Sequence, residues 1–332
     1  TTAIECMPQV CQPSARENPF SYVTGKLSAS ASGSPQELWE TIMRKLHLIA
    51  ASSALVASLT AVSGVATAAV AHTASAAATC TKANAASLHS AGHLTVATDS
   101  PAYTPWFVNN KPSNGKGYES AVAYAIASQM GFSASKVKWA YEPFSNSYQP
   151  GSKAFDFDLN EISVTPDRAD AVSFSNSYYD VTQSIIALKK NAIVTKHSPA
   201  QLKTYQYGDM VGTTGLDYIN NQIQPTKQVK VYQSLTDAFN ALVAKQVDAI
   251  VVDTPDGQYA VSKGSGELPD NSSVQVGQFP SVGEHFGALF TKGNPLVGCV
   301  NDAIATLRSN GTLDKISKQY LGIYNKVPQI QP

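Results

Sequence analysis

Thr165, Pro166, Asp167 and Arg168 have the types and order of a helix start that carries a charge receptor. Thr165 offers an N-cap hydroxyl, Pro166 suits the first helical position, and Asp167 favours the positive end of the helix dipole. Arg168 then falls in the first turn, beside backbone N–H groups that lack intrahelical acceptors. A guanidinium fork at such a terminus can hold a carboxylate through paired, charge-assisted hydrogen bonds. The same residues also fit a wet surface pair of Arg168 with Asp167 or Asp170, and the local pattern leaves both readings open. Asp99 and Asp253 form a second group: each follows a short apolar run, LTVAT or AIVV, that reads as a buried strand. Ligands of open α/β sheets gather at the C-terminal ends of strands. Asp253 also fits a cap for the segment after it. Glu161, between Asn160 and Ile162, is a third candidate. In a cleft its carboxyl could be a general acid or a specificity residue; on a strand it could point away.

Residues positioned this way need alternating strands and helices. FDFDL, residues 155–159, alternates apolar and acidic, the period of a strand with two unlike faces. Glu119 to Met130 repeats Val122, Ala125, Ile126 and Met130 at helical spacing, with Gly131 as the stop. Lys136 to Tyr141 reads as a strand, and Pro143 to Lys153 as a turn-forming loop. Ser184 to Lys189 reads as a strand leaving the first half of the chain. Met210 to Gly215 closes a strand and opens a helix at Leu216 and Asp217. Ser234 and Asp237 have the spacing of a capping box ahead of Phe239, Leu242 and Val243. His285 to Thr291 reads as a return strand, Leu296 to Ser309 as a helix, and residues 323–332 as a tail.

The stretch around Arg168 resembles the signature of the polar amino-acid-binding proteins of ABC importers, the extracellular solute-binding proteins of family 3. Its matching residues are Ser163, Thr165, Pro166, Arg168, Phe174, Ser175, Tyr178 and Tyr179. The likeness runs from about Leu94 to Gly322, through Met210 to Gly215, MVGTTG, which looks like the family's V-G-x-x-x-G segment, the V-D-A-x-x-x-D form ending at Asp253, and the closing G-T at Gly311. It implies an α/β, two-lobed periplasmic-binding-protein-like fold (type 2), with two crossover strands and the ligand cleft between the lobes. Residues 92–188 plus 285–322 would form one lobe and 189–284 the other. It implies that Arg168 holds a ligand α-carboxylate, that Asp253 and Ser163 hold the α-ammonium, and that Tyr103 and Phe144 flank the side chain. Asn160, Glu161 and Asp99 would line the cleft; two acids there would favour a basic or amide side chain. Asp217 stands where the family often has Thr or Ser, and its charge would repel a carboxylate, so that role passes to backbone N–H groups. The implied partners are an amino acid and a membrane ABC permease, for a monomer without cofactor or catalysis. Two alternatives share the fold: an exported dehydratase of prephenate-like acids, and a ligand-sensing module for a membrane receptor.

Composition agrees with a small-molecule partner. The 332 residues carry 24 basic and 24 acidic side chains, a balance that argues against nucleic acid. The histidines are scattered, without metal-ligand spacing, and no nucleotide-binding glycine motif occurs. Residues 1–42, with Cys6 and Cys11, differ in character from the rest and read as over-called translation or a disordered extension. Arg44, Lys45 and His47 precede an Ala-, Leu- and Val-rich run that ends in small residues, so 43–78 reads as a signal peptide rather than an anchor. Cys80 and Cys299 then remain, an even pair expected to form a disulfide in an exported chain. The rival is lipidation of Cys80, which Ala77, Ala78 and Thr79 suit poorly.

Overall fold

The computed structural model describes residues 88–322 and 327–331. Leu94–Thr98 forms β1, buried along its whole length, as befits a strand inside a sheet covered on both faces. The first lobe continues through helix α1 (Tyr118–Gln129), β2 (Val137–Tyr141) and the one-turn helix α2 (Phe144–Ser147). The short strand β3 (Phe157–Asp158), helix α3 (Pro166–Ala171) and β4 (Val172–Asp180) follow. The second lobe holds β5 (Gln183–Leu188), β6 (Gly208–Met210), α4 (Thr214–Tyr218), β7 (Lys230–Tyr232), α5 (Leu235–Val243), β8 (Ala249–Asp253), α6 (Thr254–Ala260) and β9 (Ser273–Gln278). The chain returns to the first lobe as β10 (His285–Thr291), α7 (Leu296–Ser309) and α8 (Thr312–Tyr320).

Five strands make the first sheet, in the order β2-β1-β3-β10-β4. β1 pairs parallel with β2 and β3, while β10 runs antiparallel to β3 and β4. The second sheet has the order β8-β5-β9, antiparallel throughout, beside a parallel β6-β7 pair. In the first lobe Trp106, Tyr118, Tyr178, Phe286 and Leu296 share one core. In the second, the alternation along β5 divides the core. Ile185 and Ala187 pack with Ile219 and Val251 on one face, and Ile186 packs with Phe239, Leu242 and Ile250 on the other.

Several boundaries differ from those expected. β5 belongs to the second sheet, flanked on both sides by β8 and β9, so the chain crosses at Val181 and Thr182, before rather than near residue 189. An apolar run shows that a strand is buried on both faces but not which neighbours cover it. The tail also belongs to the second lobe: Ile330 is buried in its core, and Gln278 exchanges hydrogen bonds with Pro328 O and Ile330 N at 2.8 and 2.7 Å. Phe144 to Ser147 is a helical turn, closed by Ser147 Oγ on Phe144 O at 2.8 Å, where a loop was expected. Helix α4 starts at Thr214, two residues early, because the Thr213 hydroxyl accepts from Leu216 N and caps it. The signal-peptide region 43–78 and Cys80 lie outside the described residues. Cys299 sits buried on α7. Among the described residues no helix is long and apolar enough to cross a membrane.

Candidate functional site

The helix start at Thr165 forms as its residues dictate. Thr165 has extended backbone, its side chain accepts from Arg168 N at 3.2 Å, and Pro166 opens α3. This cap fixes Arg168, whose side chain runs inward and is 8% exposed. Nη1 donates to Ser163 O at 2.7 Å and Nη2 to Gly212 O at 2.8 Å, so the guanidinium reaches from the first lobe to the second. Its Cζ lies 5.4 Å from the Phe144 ring centre and 4.9 Å from that of Tyr148. These contacts, rather than Asp167 or Asp170, hold the cation. Burial pulls its pKa down, and Tyr148, Asp217 and Asp253 oppose that shift.

Arg168 faces a cavity between the lobes. Asp99, Tyr103, Phe144, Asn160 and Glu161 line it from the first lobe. Gln183, Thr213, Thr214, Gly215, Asp253 and Asp256 line it from the second. Asp99 is held by backbone, accepting from Ser100 N at 2.6 Å and Phe144 N at 3.3 Å. The Tyr103 hydroxyl meets Thr236 Oγ1 at 3.1 Å across the cleft. Asn160 is buried, and its Nδ2 has no partner. Gly215 has no room for a side chain, because a Cβ would run into Val251 O. Gly212, at φ +75°, is likewise closed off by the Tyr148 hydroxyl.

Two expected residues stand outside this lining. Ser163 is buried, but its hydroxyl donates to Glu284 Oε1 at 2.7 Å, so it meets a carboxylate of the protein itself. Asp217 is exposed on α4 and does not line the cavity, although its charge reaches Arg168. Glu161 is not a strand residue. It sits in the left-handed region at φ +54°, and its N–H donates to Glu119 Oε1 at 2.8 Å. A non-glycine residue there is uncommon and costs backbone energy. The Glu119 carboxylate, itself taking the Tyr178 hydroxyl, holds that turn in place.

Acid groups crowd one end of the cavity. Among the described residues, Glu161, Asp253 and Asp256 bring carboxylate oxygens within 4.8 Å of one another. Asp253, at the end of β8, accepts from Gln183 Nε2, which also reaches Thr214 Oγ1 and Glu284 Oε1, both at 3.1 Å. Asp256 accepts from Trp106 Nε1 at 2.7 Å. Burial, and then the neighbouring carboxylates, push the Glu161 and Asp253 carboxyls well above the usual range. Burial also raises Asp256, against the Trp106 hydrogen bond. Glu119, fully enclosed, is raised to about 7 by burial. Gln183 and Asp256 escaped sequence reasoning. Gln183 reads as the polar end of an apolar run, and Asp256 as an ordinary first-turn acid; the Asp253 to Asp256 spacing was the only signal for the latter.

The sequence and fold also match known proteins. A family described as bacterial extracellular solute-binding proteins, family 3, matches residues 94–323. The L-arginine-binding protein of Pseudomonas aeruginosa is 28% identical over 240 residues, 68% of this chain and 90% of that protein. Among solved structures, an ancestral arginine-binding protein bound to glutamine is 27% identical, with TM-score 0.58 over 70% of this chain and 98% of that one. An ancestral amino acid-binding protein, a precursor of cyclohexadienyl dehydratase, is 26% identical, with TM-score 0.56 over 69% of this chain and 95% of that one.

Proposed function

The chain belongs to the bacterial extracellular solute-binding proteins of family 3, and on that premise we propose that it captures a polar amino acid outside the cytoplasm and delivers it to an ABC importer. One observation carries the reading: Arg168, a buried cation, and Asp253, a half-buried acid, face a single cavity from opposite lobes. In this reading the Arg168 fork takes the α-carboxylate and Asp253 the α-ammonium. Two of the five N–H donors of Arg168 meet backbone carbonyls, which leaves others for a ligand carboxylate, a charged acceptor that makes a stronger bond. Tyr103 and Phe144 flank the ligand side chain, and Asp99 and Glu161 favour a basic or amide end group. Ligand contacts on both lobes stabilise the closed form, which a permease recognises.

A thermal-shift screen of the twenty amino acids with ornithine, citrulline and cystine tests this. Ligand at a hundredfold excess over Kd adds about 2.7 kcal/mol of stability. A shift for one or a few polar amino acids is expected; none for any amino acid would reject the reading. A second reading, an exported dehydratase, draws on Glu161 as a half-buried acid lining the cavity, its carboxyl raised by burial and neighbouring acids, and on the dehydratase precursor among the similar structures. Turnover of prephenate or arogenate by the purified protein, lost in Glu161→Gln, would favour it.

A further inference from the structure

The crowded end of the cavity holds more carboxyl groups than one α-ammonium can pair. Glu161 comes from the turn after β3, Asp253 from the end of β8, and Asp256 from the first turn of α6. Their oxygens share a region 4.8 Å across. Gln183 is 1% exposed and lines the same cavity, and its Oε1 has no hydrogen-bond partner. Its amide nitrogen already serves Asp253 and Glu284, so the unpaired atom is the acceptor. Oε2 of Glu119, whose Oε1 takes the Glu161 N–H, is likewise buried and unpaired. Asn160 Nδ2 is a buried, unpaired donor beside them, but a single amide nitrogen does not match these acceptors, which remain in excess. An unmatched buried acceptor is costly, and several like charges together cost more.

We propose that Asp256 is a specificity-determining residue: it adds a negative charge beyond the one that an α-ammonium meets, and so selects ligands whose side chain brings a second, multi-donor cation such as a guanidinium or ammonium. The inference rests on the amino-acid-binding reading above. Its charge environment comes from every packed element. Glu161 faces Asp99, Glu119, Asp253, Asp256 and the Tyr178 hydroxyl. Asp253 faces Glu284 and Arg168, and Asp256 faces Glu119, Glu267, Trp106 and Tyr179. Without a ligand such a cluster holds protons that a doubly positive ligand expels. Arginine binding then releases protons and tightens as pH rises, whereas citrulline, isosteric but neutral in its side chain, shows less of both.

The test is titration calorimetry of arginine and citrulline, in buffers of different ionisation enthalpy, on the wild type, Asp256→Asn and Trp106→Phe. Asp256→Asn keeps an acceptor for Trp106 and removes only the charge. Its arginine-to-citrulline affinity ratio should fall roughly tenfold or more, as for loss of one close charge pair. Trp106→Phe, which removes the hydrogen bond and keeps the charge, should retain the ratio. An unchanged ratio in Asp256→Asn, or an equal fall in both variants, overturns the proposal. So does a wild type that releases no more protons with arginine than with citrulline, a comparison that needs no variant to fold. A larger thermal shift with Ca2+ or Mn2+ than with arginine would reassign the carboxylates to a metal. A wild type that binds neither these two nor any other amino acid would instead reject the underlying reading of function.

Discussion

Arg168 concentrates the residue-scale argument. It is buried, it spans the lobes through Ser163 O and Gly212 O, and it stacks near two aromatic rings. Arg168→Ala removes both the bridge and the proposed carboxylate anchor. Truncating one partner of a buried charge pair costs about 2–5 kcal/mol, so affinity should fall by more than tenfold. Calorimetry on a folded variant that shows unchanged affinity would remove Arg168 from the site. Arg168→Lys should recover little, because an ammonium cannot reproduce the planar fork. The residue types were legible where chemistry alone identifies them: an Arg in a helix's first turn, an acid at a strand's end. Gln183 was not, because its role comes from reaching Thr214, Asp253 and Glu284 together, residues far apart in sequence. Nor was the turn at Glu161, since a left-handed backbone in a glutamate follows from the Glu119 carboxylate that holds it, not from local preference.

At the scale of elements, local signals predicted starts and stops, and pairing decided the rest. Thr165 and Ser234 cap their helices as expected, Ser234 Oγ accepting from Asp237 N at 3.1 Å. β1, β10 and α7 fall where their patterns placed them. The membership of β5 did not follow from its sequence, because five of its six residues are buried and a run without a polar face gives no direction to its neighbours. The six-residue α3 has little helical stability of its own. Its cap therefore matters more than in a long helix. Thr165→Ala should destabilise the protein by about 1 kcal/mol, read as a lower urea midpoint with an unchanged slope. It should also weaken ligand binding, because the capped N–H belongs to Arg168 itself. Thr165→Ser, which keeps the hydroxyl, should behave as wild type; an equal loss in both would assign the effect to the lost methyl group instead.

For the whole molecule, buried acids set how stability depends on pH. We expect a Cys80–Cys299 disulfide in the exported chain, which non-reducing mass spectrometry should find without a lipid adduct on Cys80. Independently of it, Asp209 is 1% exposed on β6, and burial raises its carboxyl from 3.8 to about 8 against hydrogen bonds from Met210 N and Val251 N. Glu119 is raised from 4.5 to about 7. Each folded value lies above the unfolded one, so between them the folded state binds more protons than the unfolded state. Stability from these groups is fully present below about pH 4 and is lost as pH rises through 7 to 8. The unliganded protein should thus have a higher urea midpoint at pH 5 than at pH 8. Asp209→Asn removes the charge, so it should flatten that slope, although its single amide oxygen can accept from only one of the two sides that Oδ1 and Oδ2 serve, which lowers the midpoint at both pH values. A stability that rises from pH 5 to pH 8 in the unliganded wild type would refute the assignment. Ligand acts in the opposite sense at the other acid cluster: a cation that favours ionised Glu161, Asp253 and Asp256 stabilises the protein most at the higher pH. The thermal shift given by arginine should accordingly be larger at pH 8 than at pH 5, while the shift given by citrulline changes less.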